Sequence, residues 1–384
     1  MQESETNKTD IPLPSVSGNK RYLLIDLAKA ITILLVVWGH MIQYLHGTEY
    51  DYLNDLIFKW IYGFHMPAFA LVSGFLYSKS RKTEFGKSIV RKSKQLLLPV
   101  ISWALVLTIL DCFFNILMHE PNSGGFFFNR FFTRCLNDLW FLKGIFICFL
   151  LVILVEKTAG MSSAGVFLLT LIALSTFFWP RACKFHFYGF LVPFYFVGYI
   201  VGKRINDPNR IERNKGDNIN QSINQSIKYL ILFVVLFVLY LLLLSLFQKE
   251  HYIYTSGLAL FESTYGVYVQ IWNDLFRFVM GILGCSMLIT GCHAIQSRIP
   301  QRVFVWIIKI SSSTLAIYVI SASMFMYFPQ LLQRLKLNGV LSRIPDYPMD
   351  VAILLPLSLI MIVFCMVFSH ILSKGRISVL FLGK

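Results

Sequence analysis

Residues 21–46 read RYLLIDLAKAITILLVVWGHMIQYLH, and the reading of this stretch decides the fold. It is apolar over the ~20 residues that a membrane-spanning helix needs, yet it carries Asp26, Lys29 and His40. Ionisable side chains are costly in hydrocarbon and persist where they face a bundle interior or a polar cavity. At ~100° per residue, Lys29 and His40, eleven positions apart, fall about 20° apart around a helix. Asp26 and His40, fourteen apart, fall about 40° apart. All three share one face. A rise of ~1.5 Å per residue sets Lys29 and His40 roughly 16 Å apart along the axis. That is a polar stripe across half a bilayer, and it points to function inside the membrane.

The rest of the composition agrees with a membrane chain. Of 384 residues, 56% are hydrophobic and 14% charged, against roughly 25% charge in soluble domains; mean hydropathy is +0.62. The apolar runs are long and continuous, without the alternating ten-residue pattern of an outer-membrane barrel. The fold class is therefore an all-α integral membrane protein, a polytopic bundle of about ten transmembrane helices. The first apolar run is too long for a cleaved signal peptide, carries internal charge and lacks a small-residue cleavage site. It reads as a retained span.

Ten spans are expected, at about 22–45, 56–77, 96–118, 138–156, 161–179, 187–202, 228–247, 273–293, 308–328 and 350–373. A net charge of +15 raises nucleic acid as a partner, but the basic residues cluster between spans. With the N-terminus inside, 23 of the 35 Lys and Arg fall on the inner side and eight in outer loops. The positive-inside rule then places both termini in the cytoplasm and excludes a nucleic-acid role. Residues 1–20 read as a polar cytoplasmic tail, 21–373 as the membrane domain and 374–384 as a second cytoplasmic tail. The inner loop SKSRKTEFGKSIVRKSKQ at 78–95 is topogenic charge meeting lipid headgroups, or a docking surface for a phosphorylated cytosolic donor. The inner segment 203–228, with its near-repeat INQSINQSIK, reads as a flexible linker. The tyrosines of 248–272 suit an interfacial belt, with stacking on a sugar as a further use. Most of the seven cysteines are small buried hydrophobes; Cys135 and Cys183, both in outer loops, leave a disulfide open.

Further candidates lie in the second and fourth spans. FHMPAFALVSGF at 64–75 brings His65 to mid-membrane beside Pro67, which should bend its helix, and Ser73-Gly74 permits close helix approach. A lone histidine in a span can be a packing residue, but here two spans joined by a short loop each contribute one. In NDLWFLKGIFICF at 137–149, Trp140 fits an interfacial anchor, whereas Lys143 lies a turn deeper or snorkels back to the surface. Asp274 and Arg277 have the i, i+3 spacing of an intrahelical ion pair, a structural reading. Walker A, HExxH and GxSxG patterns are absent, as is the grouped histidine spacing of a zinc site, so ATPase and zinc-protease chemistry fall away and no metal is expected.

The ordered set Asp26-Leu-Ala-Lys29, VVWGH at 36–40, FHMPAF at 64–69, LWFLKGIF at 139–146, FYFVGYIVGK at 194–203 and SSSTLAIYVIS at 311–321 resembles acyltransferase family 3. The resemblance runs from about 21 to 373. It implies a ten-span bacterial membrane protein that O-acylates cell-surface polysaccharide, lipid or a related acceptor, with acetyl-CoA as the acyl donor. It also implies residence in the bacterial cytoplasmic membrane and work beside envelope-polysaccharide assembly proteins. His40 takes the place of the family's essential histidine. The family commonly has an arginine where Lys29 stands, so the charge is kept and the two-pronged guanidinium contact is lost. Some relatives carry an added SGNH-type hydrolase domain; without one, transfer is expected to finish in the membrane domain or with a separate partner.

Acyl-CoA is expected to enter from the cytoplasm with the basic residues of 78–95 on its phosphates. His40 serves as general base on a carbohydrate or glycolipid hydroxyl, or takes the acyl group as a nucleophile. His65 orients the acceptor or stabilises the oxyanion, and Asp26, Lys29, Ser73, Trp140 and Lys143 contact substrate. A proton-coupled transporter is the rival from another class, since carriers use the same intramembrane residue types. Carriers often show inverted repeats, and none is evident between the halves. A structural or flippase-like envelope partner is the second rival, with the stripe merely satisfied inside the bundle.

Overall fold

The computed structural model describes residues 23–46, 50–79, 84–117, 125–160, 162–205, 219–258, 260, 265–329, 345–373 and 375–383. The predicted tail 1–20, residues 206–218 of the predicted linker, and parts of the outer loops lie outside that set. Among the described residues every regular element is helical. The main helices are α1 (Leu23–Leu45), α2 (Leu56–Tyr62), α3 (His65–Ser78), α4 (Phe85–Leu117), α5 (Phe126–Asn137), α6 (Trp140–Thr158) and α7 (Ser163–Ser175). They continue as α8 (Phe185–Ile205), α9 (Ile219–Leu244), α10 (Val267–Ile295), α11 (Gln301–Phe325), α12 (Leu355–Leu372) and α13 (Arg376–Leu382). Among the described residues, eight helical spans are long and apolar enough to cross a membrane, or nine when the bent pair α5–α6 counts as one. The protein is a multi-pass membrane protein. The predicted fifth span is helical but short, which is why the count falls below ten.

α1 is central and packs against α3, α10, α11 and α12. The tightest crossing joins α3 to α8, and small residues make it possible. A Cβ at Gly74 would lie 2.0 Å from the Tyr195 carbonyl oxygen, and one at Gly198 would lie 1.9 Å from that of Leu71. α9 turns a broad apolar face outward, including Ile231, Val234 and Leu242, as a helix against lipid should.

Two local expectations are corrected. The second span does not bend at Pro67. It breaks at Gly63-Phe64, between α2 and α3, and Pro67 sits in the first turn of α3, where no intrahelical N–H bond is lost. The INQSINQSIK repeat is helical from Ile219, with isoleucines every fourth residue continuing the apolar run of α9. The predicted C-terminal tail folds into α13, which packs on α4. Leu382 is fully buried there, and the Trp103 indole Nε1 donates to the Phe381 carbonyl at 3.1 Å. Of the two cysteines for which a disulfide was left open, Cys135 is a free thiol.

Candidate active site

Two cavities are stacked inside the bundle. The first, about 460 Å³, lies toward the basic end, where Arg91, Lys92 and Gln95 of α4 meet Lys29 of α1 and Ser73 and Tyr77 of α3. Apolar and aromatic side chains, among them Phe69, Leu142 and Tyr195, form its deeper wall. The second, about 260 Å³, lies toward the opposite end and is lined by His40, His65, Gln43 and a set of aromatic rings that includes Tyr44, Trp140 and Tyr254. The two cavities share Met66 and Tyr318 in their walls.

His40 reaches the second cavity from the penultimate turn of α1. Its Nδ1 lies 3.2 Å from Gln43 Oε1 and 3.3 Å from the Tyr62 hydroxyl, which itself donates to Gln43 Oε1 at 3.1 Å. A carbonyl oxygen can only accept, so Nδ1 is assigned the proton and Nε2 carries the lone pair. The imidazole is held between the Phe325 ring, with centroids 5.5 Å apart, and the Tyr44 ring at 6.0 Å. A base oriented by a hydrogen-bonded third group is the arrangement that activates a hydroxyl.

His65, the first residue of α3, is 3% exposed, and its Nδ1 lies 2.9 Å from the Ile61 carbonyl. That bond likewise fixes the proton on Nδ1. As a neutral imidazole, His65 then offers a lone pair at Nε2, suited to accepting a hydroxyl proton in a hydrogen bond. It has no second N–H for an oxyanion, so the chemistry separates the two roles open to it.

The bend between α5 and α6, 56°, shapes one wall of the second cavity. At its vertex Leu139 adopts φ 45° and ψ 37°, a left-handed conformation that costs a leucine of order 1–3 kcal/mol. Lys184, at φ 62°, is the other non-glycine residue with positive φ among the described residues, and it lines the same cavity. Three cations brace the bend. Lys143 reaches back to the Cys135 and Leu136 carbonyls, 2.7 Å each, and Lys184 donates to the Asn137 carbonyl at 3.0 Å. Arg134 bridges Asp111 at 2.6 Å and Asp138 at 2.9 Å. Burial pushes the Lys184 ammonium down from its ordinary pKa, with Asp138 pulling the other way.

Asp26 and Lys29 meet at one residue of α11. The Ser311 hydroxyl donates to the Asp26 carboxylate, and the Lys29 ammonium donates to the Ser311 carbonyl. A backbone carbonyl asks for a point charge rather than a guanidinium fork, so lysine serves this contact. Both residues tie α1 to α11, and only Lys29 of the two also lines the first cavity.

A strap, residues 249–258, covers the flank of the second cavity and presents Ile253 and Tyr254 to it. Arg277 of α10 holds it. Its guanidinium is buried, bonds Asp274 at 2.8 Å, and donates to the His251 carbonyl at 3.2 Å and the Glu250 carbonyl at 3.3 Å. It also donates to the Gly257 carbonyl and the Ser256 hydroxyl. The ion pair read from the i, i+3 spacing is present, and its larger part is a set of bonds to the strap.

The candidates thus divide. His40, His65 and Trp140 line the second cavity; Lys29 and Ser73 line the first; Asp26 and Lys143 lie in neither wall and make intraprotein bonds. Gln43, Tyr62, Tyr254, Lys184, Arg91 and Lys92 were not singled out by sequence. The signals for them were the i, i+3 spacing of His40 and Gln43, the basic density of 78–95 for Arg91 and Lys92, and the tyrosine-rich stretch 248–272 for Tyr254. Among the described residues no group of three His, Cys, Asp or Glu gathers as a metal site.

No solved structure matches the chain. Two similar curated proteins are both called nodulation protein NolL. The one from Mesorhizobium japonicum is 29% identical over 197 residues, 50% of this chain and 51% of that protein. The one from Sinorhizobium fredii is 35% identical over 142 residues, 36% of this chain and 37% of that protein. The chain therefore aligns with about half the length of these relatives or less. The model of the acyltransferase domain family Acyl_transf_3 matches residues 22–370, which takes in both cavities and every helix from α1 to α12 bar the last turn. With nearly the whole bundle matched, the chain is a multi-pass membrane protein that belongs to acyltransferase family 3.

Proposed function

We propose that the chain is an O-acyltransferase that moves an acyl group, acetyl, from cytoplasmic acyl-CoA to a hydroxyl of a cell-surface carbohydrate. The observation that carries this reading is the pair of stacked cavities, a cationic one at one end and a histidine- and aromatic-lined one at the other. Arg91, Lys92 and Lys29 suit the phosphates of the donor, whose charge favours short, charge-assisted hydrogen bonds. The excess of Lys and Arg on the same end supports its facing the cytoplasm of a bacterial inner membrane, with both termini there. The rings around His40 suit an apolar sugar face, with His65 accepting from one hydroxyl and so aligning the other.

In the reaction the acceptor hydroxyl approaches His40 Nε2, which takes its proton as the oxygen attacks the thioester carbonyl. The C–S bond breaks, a C–O ester bond forms, and the proton passes from His40 to the CoA thiolate. Lys29, fixed on Ser311, keeps a positive charge beside the donor.

The test uses everted membrane vesicles from cells producing the chain, which expose the cytoplasmic face. Radiolabelled acetyl-CoA should lose its acyl group to glycan, with one thiol released per label transferred. Intact, right-side-out cells should show no use of external acetyl-CoA. Glycan labelling unaffected by loss of the chain would overturn the assignment, as would labelling from outside.

A further inference from the structure

The partition between the cavities sits at one level in four helices. α1 lines the first cavity at Val36 and the second at His40, one turn on. α6 lines the second cavity through Trp140 and the first through the next residue, Phe141. α11 lines the first at Leu315, both at Tyr318 and the second at Ala322. α3 lines the second at His65, both at Met66 and the first at Phe69. The boundary is therefore a ring, and Met66 and Tyr318 are the two side chains that face both spaces.

The two residues differ in how firmly they are held. Tyr318 is 9% exposed, and its ring meets Phe141 edge-on with centroids 5.8 Å apart. Met66 is partly buried and unbranched, the side chain best able to shift within a packed wall. It also follows His65 directly in sequence, so whatever passes Met66 arrives beside the histidines.

We infer that Met66 and Tyr318 form an acyl-size gate: the CoA moiety stays on the cationic side and the acyl group alone reaches past them toward His40. The inference rests on the proposed use of acyl-CoA and adds which residues select the donor. In the transfer the thioester C–S bond breaks and the acyl carbon joins the acceptor oxygen, while the hydroxyl proton leaves on the CoA thiol. Each extra methylene of a longer acyl chain must fit at the Met66–Tyr318 level. The gate therefore sets chain length without touching the phosphates or the sugar.

The experiment compares acetyl-, propionyl- and butyryl-CoA in the same everted vesicles, reading label in glycan. Wild-type protein should favour acetyl. Met66→Ala opens the ring and should raise the butyryl-to-acetyl rate ratio by about tenfold, the size carried by two buried methylenes. Met66→Phe should move the propionyl-to-acetyl ratio the other way, and Tyr318→Leu should act like Met66→Ala. Ratios within one sample are insensitive to how much protein folds, and the opposing variants guard against one of them failing. Wild-type transfer from acetyl-CoA with unchanged ratios in Met66→Ala and Tyr318→Leu overturns the gate alone. No transfer from any acyl-CoA overturns the donor assignment and the gate with it.

Discussion

Gln43 Oε1 accepts at once from His40 Nδ1, at 3.2 Å, and from the Tyr62 hydroxyl, at 3.1 Å, which leaves His40 with its lone pair on Nε2. His40→Ala should lower acyl transfer by ~10²–10⁴, the usual contribution of a positioned base. Gln43→Leu keeps the imidazole but frees its tautomer, and should cost ~10–100-fold, the range for losing a partner that orients a functional histidine. Labelled-acyl transfer in vesicles at matched protein levels measures both. A Gln43→Leu rate equal to wild type would sink the orienting role.

The α3–α8 crossing is the packing feature that places His65 and Ser73 in their respective cavity walls. Gly198→Ala puts a Cβ 1.9 Å from a backbone oxygen of Leu71, and backbone cannot swing aside as a side-chain tip can. Separation of the helices should cost about 1–3 kcal/mol or more. The melting temperature and the yield of monodisperse protein in detergent should both fall. Gly86→Ala, where an added Cβ meets nothing within 4 Å, should leave both unchanged.

Arg277 couples the strap to α10 and, through Ile253 and Tyr254, to the second cavity. Arg277→Lys retains charge but not the planar fork that serves several acceptors at once. We expect the KM for the acceptor to rise about tenfold or more while the KM for acyl-CoA stays fixed, because the first cavity has no contact with the strap. Steady-state kinetics with each substrate varied in turn gives the split. An equal rise in both values would assign Arg277 to general stability.

The all-helical membrane class and the positions of the spans were legible because hydrocarbon admits few backbone solutions, and long apolar runs announce the helical one. The stripe of α1 was legible through the helical period alone. The remainder depended on pairs far apart in sequence. Nothing near Asp26 or Lys29 shows that both meet at Ser311, and nothing near Arg277 shows that most of its bonds go to residues 250–257. Lys143 stood out as a cation below an interface, but that its ammonium reaches back to the carbonyls of Cys135 and Leu136 was not legible, because those acceptors lie across the bend between α5 and α6. The break at Gly63-Phe64 was assigned to Pro67 because the sequence does not show where a helix starts within an apolar run, and proline in a first turn is harmless.

The strap should also loosen in acid. His251 is 6% exposed, stacks near Phe276 with centroids 4.1 Å apart, and its Nδ1 accepts from the Gln248 backbone N–H at 2.8 Å, which requires that nitrogen unprotonated. Burial, and next the Arg277 charge, push its pKa from 6.5 down to about 4, with Glu250 opposing and Lys59 assisting. The folded state thus binds the proton less readily than the unfolded one. The stability His251 contributes is whole above pH ~6.5 and is lost as pH falls toward about 4. Thermal unfolding in detergent from pH 8 to pH 4.5 should show the melting temperature declining below pH 6.5. His251→Gln removes the titrating ring, so its decline over that window should be shallower than that of wild type. Parallel curves for the two proteins would place the acid sensitivity elsewhere.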